Sequence, residues 1–361
     1  MSELPPPGDR GRLERGRPIG YVMAVAGAVL FSINGSVSKV TLGSGLSPLD
    51  LVLLRCAGAT LCFVLLVLFV EPRRLKVRRS EWPLLLLYGV VGIAMVQWLY
   101  FVAIARLPVG IALLIEFTAP VVVALWATFV QHKDLGRVVW LALGLTLVGL
   151  AMVAQVWDGL TLDAVGLVAA FGAMLSLATY YVAGERAVVG RDTLSLALWS
   201  FVVATVFWSV VHPWWTLPWS TLTDGVTLPG SIGASVPTWS LVAWVVVLGT
   251  VAPFLLVIGA LRHVPATRAG IVGTLEPVLA GLWAWLWLGE TLAPVQLLGA
   301  AVVLVAVALA QLATAPRKDR TSIPAGAPPA GPGAPPGSVA SPLPPPGSPG
   351  ERRPPPGAAP R

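Results

Sequence analysis

The chain reads as an all-α integral membrane protein with ten transmembrane helices, arranged as two five-helix repeats of inverted topology. Three observations lead there: apolar windows of membrane-spanning length, basic residues confined to alternate loops, and a second half that repeats the first. Hydrophobic residues fill 56% of the 361 positions and charged residues 11%, a balance that excludes an ordinary soluble domain of this length.

The windows run Ile19–Lys39, Pro48–Val70, Trp82–Ala105, Val109–Val130, Gly136–Val156, Asp163–Gly184, Thr193–Val211, Trp239–Leu261, Ala266–Leu288 and Ala293–Thr314. Each is about 20 residues, enough to cross a ~30 Å hydrocarbon core at 1.5 Å per residue. The first is too long, and lacks the small-residue cleavage site, for a removable signal peptide; it reads as a signal anchor. Gly20, Ala24 and Ala28 give it a small-residue packing stripe, and Gly144 with nearby alanines does the same in the fifth window. The second window opens on Ser47–Pro48–Leu49–Asp50, a helix start with serine as N-cap, proline at N1 and an acid at N3. Cys56 and Cys62, six apart and on different helix faces, read there as small apolar packing residues. Trp82, Trp157, Trp239 and the Trp214–Trp219 cluster fall near window ends, where indole rings anchor at interfaces.

A net charge of +7 raises nucleic acid as a partner, but its distribution argues against that. Arg10, Arg12, Arg15 and Arg17 precede the first window; Arg73, Arg74, Lys76, Arg78 and Arg79 follow the second. Lys133 and Arg137 follow the fourth, Arg186 and Arg191 the sixth, Arg262 and Arg268 the eighth, and Arg317, Lys318 and Arg320 the tenth. The intervening loops are nearly free of them, Arg106 being the clear exception, and the long Val211–Trp239 loop carries only Asp224. This alternation over an even number of spans puts both termini in the cytoplasm and the chain in the plasma or inner membrane. Residues 1–17, polar and basic, are then expected to form a disordered cytoplasmic tail, and residues 316–361, rich in Pro, Gly and Ala, a second disordered cytoplasmic tail.

The repeat supplies the inverted topology. At an offset of 157, Trp82 falls on Trp239, Gly92 on Gly249, Ala103 on Ala260, Pro108 on Pro265, Pro120 on Pro277 and Trp126 on Trp283. At an offset of 146, Gly20 falls on Gly166 and Asn34 on Tyr180. The units, 18–157 and 158–315, hold five spans each, and an odd number forces them into the membrane upside down relative to each other. The gap holding Arg106 is then outside and its counterpart holding Arg262 and His263 inside.

Leu107–Pro108–Val109–Gly110, Ile115–Glu116–Phe117–Thr118–Ala119–Pro120 and the run to Trp126 resemble the fourth-helix motif of EamA-type permeases of the drug/metabolite transporter superfamily. Leu275–Glu276–Pro277–Val278–Leu279, followed by Leu288–Gly289–Glu290–Thr291–Leu292, is similar to the ninth-helix motif. Gly184–Glu185–Arg186–Ala187 and Arg55 also match, so the resemblance covers about Ile19 to Thr314. It implies a secondary transporter that exports amino acids or related small polar metabolites. The first repeat departs from the pattern, with Gln131–His132–Lys133 where Gly-Glu closes the fourth helix.

Two acids lie deep in apolar windows beside prolines, and an ionisable group in hydrocarbon is rarely kept without a job. Pro120 cannot donate to the carbonyl of Glu116, and Pro277 likewise frees that of Gly273. Glu276 aligns with Ala119, three residues from Glu116 and nearly on its helix face. The two carboxylates are thus placed to bind a substrate amine or to carry a proton; pairing with Arg55, Arg268 or a hydroxyl is the structural alternative. Asn34 and Gln97 sit at depths comparable with Glu116, Gln97 and Tyr100 sharing one face and Asn34 and Ser38 another. Arg55 is placed to pair with Glu116, bind a substrate carboxylate or snorkel outward beside Asp50. Pro120, Pro253, Pro277 and Gly273 are the candidate hinges.

The expected function is therefore secondary transport of a small-molecule substrate by alternating access around a central cavity in the lipid bilayer, with a proton as the candidate coupling ion. A passive channel, or a non-transporting sensor or scaffold acting through the Pro-rich tail, remains open. His132, His212 and His263 are scattered and suggest no metal site, and no nucleophile–base pair or phosphate-cradling glycine loop appears. No enzyme activity, cofactor or ATP is expected, and the oligomeric state is open.

Overall fold

The computed structural model describes residues 7–70, 77–132, 137–155, 162–187, 192–230, 234–261, 263–264 and 272–314. The tail 316–361, Arg73, Arg74, Lys76, Lys133, Trp157, Arg191, Arg262, Pro265 and Arg268 lie outside them. Ten helices carry the fold here: α1 (Pro7–Leu42), α2 (Pro48–Val70), α3 (Arg79–Ile104), α4 (Val109–Phe129), α5 (Arg137–Ala154), α6 (Ala164–Ala187), α7 (Thr193–Val211), α8 (Thr238–Ala260), α9 (Leu275–Leu288) and α10 (Pro294–Thr314). Among the described residues eight of them, α1 to α8, have the length and hydropathy of membrane spans; α9 and the Pro294–Ala310 part of α10 are shorter apolar helices.

Two expectations are corrected. The first helix begins at Pro7, so the segment read as a tail is helical from there. Proline suits the first helical position, and Leu13, Glu14 and the arginines are helix formers, while Pro18 removes a single ladder bond within a long helix. The fold is also not purely helical. In the loop after α7, β1 (Gly225–Thr227) pairs antiparallel with β2 (Ser235–Pro237), Val226 facing Val236. The ribbon is tied to α8, whose first residue Thr238 donates from both N and Oγ1 to the Asp224 carbonyl, at 3.0 and 3.1 Å. Trp214 and Trp219 stack in the same loop with centroids 6.5 Å apart.

The helices pack as pairs that bridge the two repeats: α1 on α8, α3 on α6, α2 on α7, α4 on α9 and α5 on α10. Contacts recur with the repeats exchanged. Gly20 of α1 packs on Val264 and His263, and Gly166 of α6 packs on Leu107 and Arg106. Asn34 of α1 lies against the backbone of Gly249 in α8, and Tyr180 of α6 lies against Gly92 in α3, where an added Cβ would sit 3.2 Å from the Tyr180 Cβ. Offsets of 146 and 157 turn the first member of each set into the second.

The last pair is antiparallel. Gln296 Nε2 at the start of α10 donates to the Val153 carbonyl at the end of α5, 3.1 Å away, while Ala310 meets Ala142 and Val121 toward the other end. Gly149, not Gly144, makes the close approach in α5, against Gly299 and Val303; a Cβ on Gly144 would meet nothing within 4 Å.

Candidate functional site

Interruptions in the helices position the site. In α4, one helical run ends at Glu116 and the next begins at Ala119. Pro120 lacks the N–H that would have reached the Glu116 carbonyl, and Thr118 Oγ1 folds back 2.7 Å onto the Ile115 carbonyl instead. Thr274 interrupts the ninth segment just before α9 in the same way, leaving Glu276 in the first turn of the helix. In α3 and α8 the interruptions are π-helical, at Tyr88–Met95 and Val247–Val251, and the offset of 157 places the second on residues 90–94 of the first. A π turn opens the ladder by one residue and re-aims side chains, which is why such turns gather at functional sites.

The breaks in α4, in α3 and before α9 border one cavity of about 350 Å³ through Glu116 and Phe117, Tyr88, Gly92 and Ile93, and Glu276, whereas no residue of the α8 π turn lines it. All six sequence-derived candidates line it: Asn34, Arg55, Gln97, Tyr100, Glu116 and Glu276. Tyr88, Tyr180, Tyr181, Phe31 and Phe254 complete much of the wall. Its lining runs down to Thr193 and Leu261, at the start of α7 and the end of α8. The hinge candidates Pro120, Pro253, Pro277 and Gly273 are not among the residues that line it. Pro277 faces instead a second, more apolar cavity of about 560 Å³ bordered by α4, α9 and α10, and Ser38 is fully buried, donating to Asn34 Oδ1 at 3.4 Å.

Arg55 is 6% exposed and neither snorkels nor bonds to an acid. Its Nε donates 2.8 Å to Thr250 Oγ1 and its Nη2 3.4 Å to the Gly249 carbonyl, both on the π turn of α8. Thr250 passes the bond on, its hydroxyl donating to the Val245 carbonyl at 2.8 Å. The guanidinium lies 5.4 Å from the Phe101 ring centre, and its charge is felt by both Glu116 and Glu276. Glu116 and Gln97 are 7% and 8% exposed, yet Glu116 Oε2 and Gln97 Oε1 have no hydrogen-bond partner. Two buried acceptors without a donor are rare, because the desolvation cost goes uncompensated.

The end of the bundle opposite Thr193 and Leu261 is fastened. Lys39 Nζ lies 2.5 Å from Glu290 Oε1 and donates 2.8 Å to the Leu107 carbonyl, while Glu290 Oε2 accepts from the Val109 N–H at 2.8 Å. This clasp joins the end of α1, the α3–α4 turn and the segment after α9. At the same end His212 Nε2 meets Asp50 Oδ1 at 2.7 Å, and Asp50 Oδ2 accepts from the Ser47 N–H as the helix-start motif requires. The clasp and the cavity roles of Tyr88, Tyr180 and Tyr181 were missed from sequence. Glu290 stood within a quoted motif, but nothing marks Lys39 as its partner 251 positions away.

The model of the EamA-like transporter family matches residues 18–155 and again 164–312. The threonine/homoserine exporter RhtA of Escherichia coli strain K12 is 30% identical over 299 residues, covering 81% of this chain and 92% of that protein. The exporter of the same name from Salmonella typhimurium strain LT2 is 29% identical over 287 residues, 77% of this chain and 88% of that one. The Bacillus subtilis transporter YwfM is 25% identical over 251 residues, covering 69% of this chain and 79% of its own. A crystal structure shares the fold with a TM-score of 0.53 at 16% identity, covering 82% of this chain and 97% of that one.

Proposed function

The chain belongs to the EamA-like transporter family, a multi-pass membrane transporter with a small-molecule substrate, and from that premise we propose that it is a secondary carrier exporting amino acids by alternating access. The observation that carries this reading is the exchange of contacts between repeats around one polar cavity: Asn34 on Gly249 mirrored by Tyr180 on Gly92. Two half-bundles that meet through equivalent contacts can swap conformations and so turn the cavity from one face to the other. The inverted, ten-helix arrangement is supported by the clasp. Lys39 ends the first crossing and Glu290 follows α9, so their contact is what a membrane-crossing α9 requires.

With both termini in the cytoplasm, the cavity edge at Thr193 and Leu261 is cytoplasmic and the clasp external, so this conformation faces inward. The substrate class rests on the likeness to the threonine/homoserine exporters, and Glu116 is the proposed site of the coupling proton. Reconstituted protein, loaded with unlabelled solute and offered the labelled one, tests the reading. Saturable counterflow with L-threonine, L-homoserine or another amino acid is expected; flux that never saturates and shows no counterflow would make the protein a channel.

A further inference from the structure

We infer that the cavity holds a two-point subsite for a free amino-acid zwitterion, the ammonium seated on Glu116 and Gln97 and the carboxylate on Arg55. The inference rests on the carrier reading above and adds to it which atoms recognise the solute. Glu116 and Gln97 both line the cavity, and Glu116 Oε2 and Gln97 Oε1 are buried acceptors without a donor. They come from different helices, α4 and α3. An ammonium carries three N–H donors and one positive charge, so it satisfies both acceptors and offsets the charge of Glu116, with Glu276 as a second acid on the same wall. A carboxylate or phosphate would leave both orphaned and add repulsion.

The opposite pole is already oriented. Thr250 and the Gly249 carbonyl hold Arg55 through Nε and Nη2, and neither bond uses Nη1, leaving donors of the planar fork for a carboxylate. Among the described residues no ion pair within 4.0 Å joins Arg55 to Glu116 or Glu276, although their charges interact. The poles are therefore not paired with each other, and a small molecule bearing both charges can engage both from one cavity. Leu113, Phe31 and Phe254 supply apolar wall for its side chain.

The same arrangement makes proton and ammonium competing occupants of Glu116. When the carboxylate is protonated the ammonium loses its counter-charge, and when the ammonium is seated the proton has no place, so the outward solute exchanges for an inward proton.

Competition in the counterflow assay tests this on the unmodified protein. Unlabelled L-threonine, L-threonine methyl ester, which lacks the carboxylate, and N-acetyl-L-threonine, which lacks the ammonium, compete against labelled L-threonine. Each blocked analogue should compete at least tenfold more weakly than threonine. Arg55→Gln, purified as a monodisperse protein, should lose its preference for threonine over the ester and keep its preference over the N-acetyl compound. Gln97→Leu should do the reverse. Equal competition by all three compounds on the unmodified protein would overturn the two-point site while leaving the carrier reading intact, as would Arg55→Gln that still rejects the ester. Absence of counterflow with every amino acid would overturn both.

Discussion

At the scale of single residues, Glu116 is the most exacting position. Glu116→Gln preserves size and most hydrogen bonding but cannot ionise, so we expect flux driven by a pH jump to be abolished while slower threonine exchange persists. Unchanged flux in both assays would make Glu116 a structural acid. Gly249 is the second. A Cβ there would strike the Asn34 amide, so Gly249→Val should lower the stability of the detergent-solubilised protein by about 1–3 kcal/mol through overpacking and stop transport. Asn34→Ala in the same chain should recover part of the stability, measured by thermal unfolding; no recovery would place the strain elsewhere. The roles of Asn34, Gln97, Glu116 and Glu276 as cavity residues were legible because polar side chains are costly in apolar windows and stand out against them. Tyr88 and Tyr181 were not, since tyrosine is at home at interfaces and in packed cores alike. Gly144 misled because a glycine in an apolar helix marks a close neighbour only when one is present, and sequence does not carry the neighbour.

At the scale of elements, the windows located the helices well, since length and hydropathy alone determine what can cross a bilayer. Their interruptions were read only where a proline announced them. Pro120 predicted the break after Glu116 and Pro253 marked the span whose π turn runs Val247–Val251, but no proline stands within or just past the π turn at Tyr88–Met95. The repeat held the missing signal, for Gly92 and Gly249 were already matched and both lie inside the π turns. The first repeat, which lacks the Gly-Glu ending, still closes α4 with a left-handed residue: His132 has φ 53° where Gly289 has φ 70°. The clasp allows a direct prediction. Glu290→Gln removes the charge facing Lys39, whose bonds to charged partners contribute about 1.5–3 kcal/mol in comparable settings, somewhat less here because both side chains are partly exposed. A cysteine at Leu113, on the cavity wall of α4, should then react with an external impermeant maleimide several-fold faster than in the parent. An unchanged rate would show that the clasp does not hold that end shut.

At the scale of the whole molecule, topology is the property to test, since it rests on loop charges and on contact parity. On a background lacking Cys56 and Cys62, a cysteine at Asp224 should react from outside only; labelling from the cytoplasm alone would reverse the orientation. Removing residues 316–361 should leave threonine counterflow within about twofold of the full chain, whereas a scaffold acting through that segment would lose its activity. The two halves were readable from sequence because their matched positions, Gly20 with Gly166 and Asn34 with Tyr180, are places where helices touch and substitution is constrained. The clasp and its neighbours were not, because a pair joined over 251 positions belongs to the assembled bundle. Between the clasp and the cavity, α4 and α9 meet with no side chain between them: a Cβ on Gly110 would lie 3.0 Å from the Gly281 Cα. Measured along α4 at 1.5 Å per residue, Glu116 lies ~9 Å to one side of that contact, and on the other side Val109, the very next residue, already holds Glu290. Two rods touching bare at a point between a fastening and a load behave as a clothes-peg, and whatever parts them at one end draws them together at the other.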